Sequence, residues 1–171
     1  MPKSYVAFKW AVYAFATLLL FAMQSLVLNH IRVWGVTPFF YPMLPALAAM
    51  YEGQKKGSIF ALFLGIVCDL LLYGPFEGFF TILFVLIALF SAAVAGNLRS
   101  TGFVSGVFIA ALALALTALV RVGLQILTGG IHAHIRLVAW TAGMEALLSL
   151  PAVLAALPLY RAVHKRCTVD Y

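Results

Sequence analysis

Long apolar runs separated by short polar breaks organise this chain. Crossing a bilayer as a helix takes about 20 apolar residues, and the runs predict spans over residues 10–28, 38–51, 57–73, 79–96, 102–127 and 137–159. The first is bounded by Lys9 and by Asn29-His-Ile-Arg32. The second is irregular, because Pro38, Pro42 and Pro45 remove backbone donors. It reads either as a short, bent span or as a half-buried lead-in followed by a short helix. The third span closes on Gly74-Pro-Phe-Glu-Gly78, a tight turn. Pro151 and Pro158 interrupt the last run and predict a kink there. Six spans is the count adopted, or five if the proline-rich segment only dips in.

Composition agrees with the pattern. Of 171 residues, 65% are hydrophobic and 9% charged, against about 25% charged in soluble domains, and the mean hydropathy is +1.08. The chain therefore reads as one integral membrane domain, residues 1–171, all α-helical with short loops. The net charge of +6 does not indicate nucleic acid, because the basic residues sit in short clusters between apolar runs rather than in a stripe with aromatics. With six spans, Lys3, Lys9, Lys55, Lys56, Arg99, Arg161, Lys165 and Arg166 fall on one side and only Arg32 and Arg136 on the other. That bias predicts cytoplasmic termini, with Lys165 and Arg166 against anionic lipid. The short loops leave the function within the membrane or with a bound partner.

Asp69 is the one charge between Gly57 and Tyr73. A carboxylate in hydrocarbon costs about 2.5–3.5 kcal/mol on insertion scales, so it is expected to face protein. Gly57, Ala61, Gly65 and Asp69 recur every fourth residue and share one helix face. The three small residues let another backbone approach closely. Arg121 and Glu145 are the other ionisable residues inside predicted spans. At 1.5 Å per residue the three lie about 7, 10 and 13 Å from the outer ends of their spans, a depth that permits one guanidinium to face one or two carboxylates. Thr117, Arg121 and Gln125 share a face of the fifth span; Thr141, Glu145 and Ser149 share one of the sixth. The reading favoured is a pairing that fixes helix register, with ligand binding or ion coupling as the alternative.

Further small-residue stripes, Gly102-Gly106-Ala110 and Ala92-Gly96, read as close helix packing. Trp34, Phe39, Phe40, Tyr41 and Tyr73 fall near predicted outer boundaries, where aromatic anchors belong. His132 and His134 lack a third metal ligand nearby, and Cys68 and Cys167 have neither metal nor redox spacing. No nucleophile–base pair, phosphate loop or metalloprotease motif occurs, so neither catalysis nor a cofactor is expected.

The stretch Gly65-Ile-Val-Cys-Asp69-Leu-Leu-Leu-Tyr-Gly74-Pro-Phe-Glu-Gly78, continuing to Ala95-Gly96-Asn-Leu-Arg99, resembles the bacterial rod-shape-determining MreD family. That family shows Gly-x-x-x-Asp-Leu closing one span, a glycine-containing loop, another apolar span, then glycine and a basic residue. Glu77 departs from the pattern, which has an apolar residue there. The resemblance implies a non-catalytic inner-membrane member of the cell-elongation complex. Its implied partners are MreC and, through it, the RodA glycan polymerase with its transpeptidase and, indirectly, MreB. Gly57, Ala61, Gly65, Asp69, Gly74, Gly78, Gly96, Arg121, Gln125 and Glu145 are the structural or partner-binding candidates. The family is also similar in fold to substrate-binding subunits of energy-coupling-factor vitamin transporters. The alternative is therefore such a subunit, with an outer cavity lined by Arg121, Gln125 and Glu145.

Overall fold

A computed structural model describes residues 3–26, 30, 34–72, 74–97, 102–127 and 135–167. Among them the regular elements are six helices: α1 (Lys3–Leu26), α2 (Met43–Glu52), α3 (Gln54–Leu71), α4 (Phe79–Asn97), α5 (Phe103–Leu127) and α6 (Ile135–Cys167). Tyr73, Arg32, Arg99 and the His132–His134 pair lie outside the described residues. So do the side chains of Lys3, Lys9, Gln125, Arg136, Lys165, Arg166 and Cys167.

The short α2 forms the centre. Met43 to Tyr51 are all buried, as an all-round apolar helix requires, and α2 packs against α3, α4, α5 and α6. The prolines explain its length. Pro42 is its N-cap residue and Pro45 lies in its first turn, where a missing N–H goes unnoticed. The predicted span 38–51 thus resolves into the irregular stretch Thr37–Phe40, a turn, and a ten-residue helix. Gly53, at φ 81°, reverses the chain into α3.

The small face of α3 is consumed inside the chain. A Cβ at Gly57 would lie 2.3 Å from the Cα of Ala49 in α2, and one at Gly65 would lie 2.4 Å from the Cα of Thr81 in α4. Ala61, between them, is fully buried. Gly106 likewise admits the Leu157 side chain, bringing α5 and α6 together, whereas Gly96 is exposed and meets no atom among the described residues. α1 packs on α6 through the edge-to-face rings of Tyr13 and Tyr160 and the Thr17–Tyr160 hydroxyl pair at 3.0 Å.

By length and composition, α4 over Phe79–Asn97 and α5 over Phe103–Leu124 can cross a membrane, each with hydropathy 2.5. Gly143–Leu154 and Ala156–Ala162 make a third if counted as one span bent by 41°. The bend sits where Pro158 deprives the Leu154 carbonyl of its helical donor. Trp10–Gln24 is a shorter apolar helix, and α3 carries Lys55, Lys56 and Asp69 within its 18 residues. Phe40 and Tyr41, expected at the membrane boundary, are instead buried. Tyr41 stacks on Phe21, meets Phe39 edge to face and lies tilted against Phe40, because the turn before α2 folds both residues inward. Trp34 is exposed.

Candidate functional site

Two polar clusters interrupt the apolar interior. The first is at the α3–α4 turn. A helix begins with N–H groups that have no partner within it, and in an apolar setting each unpaired one is costly. In α4, the Phe79 N–H donates to the Phe76 carbonyl at 3.2 Å, and the Ile82 N–H starts the helical ladder on the Gly78 carbonyl at 3.1 Å. The two between them are taken by Asp69. The Phe80 N–H donates to its Oδ1 at 2.8 Å and the Thr81 N–H to its Oδ2 at 2.9 Å. The Thr81 hydroxyl donates to the same Oδ2 at 2.5 Å.

Asp69 thus caps the start of the next helix from the end of the previous one. Ionised, it also complements the positive end of the α4 dipole. Two glycines make this delivery possible. Gly78, at φ 80°, holds a backbone turn that L side chains rarely adopt. Gly65, one turn before Asp69, lets the α4 backbone approach.

The second cluster joins α5, α6 and the lead-in to α2. Arg121 Nη1 donates to Glu145 Oε1 at 2.7 Å and Oε2 at 3.0 Å, and its guanidinium carbon lies 4.7 Å from the centroid of the Phe39 ring. Both side chains remain partly exposed, at 35% and 23%. One turn on, the Ser149 hydroxyl donates to the Glu145 carbonyl at 2.7 Å and accepts the Phe39 N–H at 3.0 Å. From the other side, Gln24 of α1 donates through Nε2 to the Pro38 carbonyl at 2.6 Å and accepts the Phe40 N–H at 3.4 Å. Irregular backbone in an apolar interior needs such partners.

The structure brings Arg121 and Glu145 together and keeps Asp69 with backbone donors of its own hairpin. No family model matches this chain, and no curated protein or solved structure is significantly similar to it. What the arrangement can do is therefore read from geometry alone. Asp69 accepts from three donors, and Arg121 faces Glu145. Among the described residues, no group of three His, Cys, Asp or Glu converges on a metal position. Gln24 and Thr81 were not among the candidates singled out from the sequence. A signal for Gln24 exists: Tyr13, Thr17, Leu20 and Gln24 step by four, three and four along one face, and all are buried.

Proposed function

We propose that this chain is a non-catalytic membrane scaffold of the cell-elongation machinery. In this reading it is MreD-like, with both termini cytoplasmic in the inner membrane, and it binds MreC and through it the RodA polymerase with its transpeptidase. The observation that carries the reading is the capture of Asp69 by three donors at the α4 N-terminus. The residues behind the resemblance, Gly65, Asp69 and Gly78, all serve the geometry of one hairpin, which suits a protein that holds a shape rather than turns over a substrate.

Six spans remain the proposed topology. Ten helical residues of α2 reach about 15 Å, and four residues of lead-in add at most about 13 Å, close to a bilayer core of about 30 Å. The remaining five helices are each 18 residues or longer.

The test is affinity purification of the tagged full chain from native membranes in mild detergent, with mass spectrometry of what accompanies it. MreC and a glycan polymerase in near-stoichiometric amounts are expected. Recovery of an ATPase pair instead would replace the scaffold with a transporter subunit.

A further inference from the structure

α1 and α3 enclose an apolar cleft of about 780 Å³. Trp10 and Lys56 stand at one end, Phe21 and Leu71 at the other, with Phe60 and Phe63 along the α3 wall. The Trp10 and Phe60 rings approach to 6.3 Å across the basic end. On α3, Lys56, Phe60, Phe63, Val67 and Leu71 lie on one face, about 22 Å from first to last. Its apolar part, Phe60 to Leu71, runs about 16 Å, close to one leaflet of about 15 Å, half the hydrocarbon core.

Two occupants of such a cleft are conceivable in a bilayer: a second polypeptide's helix, or lipid. Side-chain size separates them. Helices associate in membranes through small residues that let backbones close up. The small residues of α3, Gly57, Ala61 and Gly65, are turned toward α2 and α4, and no glycine or alanine of α3 lines the cleft. The α3 wall is bulky, and Ala14 and Thr17 of α1 leave the space opposite it open, a gap between large side chains that suits a thin chain. The one polar α1 side chain in the lining, Thr17, already has its hydroxyl engaged with the Tyr13 carbonyl at 2.8 Å and with Tyr160, so nothing along the cleft asks for a polar ligand. At the mouth the chemistry changes. Lys56 is exposed and beside Lys55, Trp10 supplies an interfacial indole, and the nearby Glu52 carboxylate accepts the Tyr13 hydroxyl at 3.1 Å. The balance at that end is positive.

We propose that this cleft is a binding site for one anionic phospholipid, its acyl chains along the α3 wall and its phosphate at Lys56. The inference needs α1 and α3 to lie in a bilayer and is independent of the scaffold's partners. Such a lipid completes the packing of α1, which otherwise meets the rest of the molecule chiefly through α6.

The experiment is native mass spectrometry of the full chain, loaded with equal amounts of phosphatidylglycerol and phosphatidylcholine of identical chains. One lysine near an anionic headgroup predicts about a fivefold preference for phosphatidylglycerol. Lys56→Gln is expected to bring the ratio near one, and Phe63→Trp, which narrows the cleft, to lower retention of both lipids. Equal retention by the native chain, or an undiminished preference in K56Q, overturns the site. Photo-crosslinking from a benzoylphenylalanine placed at position 63 in native membranes separates the occupants: a lipid-mass adduct supports the proposal, and a polypeptide adduct overturns it in favour of a partner helix. Release of the chain from membranes by an alkaline wash would sink the bilayer reading itself, a failure distinct from the other two.

Discussion

The hairpin α3–α4 and the pair α5–α6 each hold one carboxylate away from bulk water, and they neutralise it differently. Asp69 is met by two backbone N–H groups and a hydroxyl, all within 12 residues of it in sequence. Glu145 is met by a guanidinium 24 residues away, and both partners keep some exposure. The first arrangement is local and without a formal counter-charge; it works because orphan donors at a helix start need an acceptor as much as the acceptor needs them. The second is an ion pair that bridges two helices and grips an aromatic ring. Removing Asp69 strands donors that cannot move, whereas removing Glu145 frees a long side chain able to reach toward the surface.

Substitutions test this contrast, and the largest effect belongs to the hairpin. Asp69→Ala deletes three hydrogen bonds and leaves two N–H groups unserved, which predicts a loss of about 3 kcal/mol or more. Thermal unfolding of the purified protein in detergent measures it, and a native midpoint would break the comparison. Gly65→Ala forces the α4 backbone outward and is expected to cost about 2 kcal/mol. Since that displacement also loosens the Asp69 cap, the double variant should lose less than the sum of the two; strict additivity would mean that approach and cap are independent. Glu145→Ala is predicted to cost only about 1 kcal/mol, as for partly exposed pairs. The exchange Arg121→Glu with Glu145→Arg should recover most of that, and no recovery would assign the loss to the Phe39 contact instead. Thr81→Val, which keeps the backbone donors on Asp69, should cost about 0.5–1 kcal/mol. Faster amide exchange at position 81 without a wholesale change in α4 would be its signature.

What sequence reasoning reaches here depends on whether the partner is a side chain. The apolar runs, the proline-shortened second segment and the kink at Pro158 follow from composition and covalent geometry. The Arg121–Glu145 contact is foreshadowed by two opposite charges at similar depth. Asp69 is different, because its partners are the backbones of Phe80 and Thr81, and a peptide group has no letter of its own. Only the recognition that Gly74–Gly78 turns the start of α4 back onto the end of α3 brings that cap into view. The same holds for Gln24 and Ser149, whose partners are the main chain at Pro38–Phe40. Phe40 and Tyr41 were expected at the interface by position, yet the fold of the turn before α2 takes them inside.

The Phe39 amide has a consequence for how the protein is made. Its acceptor, Ser149, lies 110 residues further along the chain, so a ribosome delivers the donor long before the group that will hold it. During synthesis Gln24 of α1 is already present to steady the neighbouring Pro38 and Phe40, while Phe39 waits for α6. α6 is therefore the clasp of the whole assembly, and a chain interrupted before Ser149 leaves that peptide group unfastened.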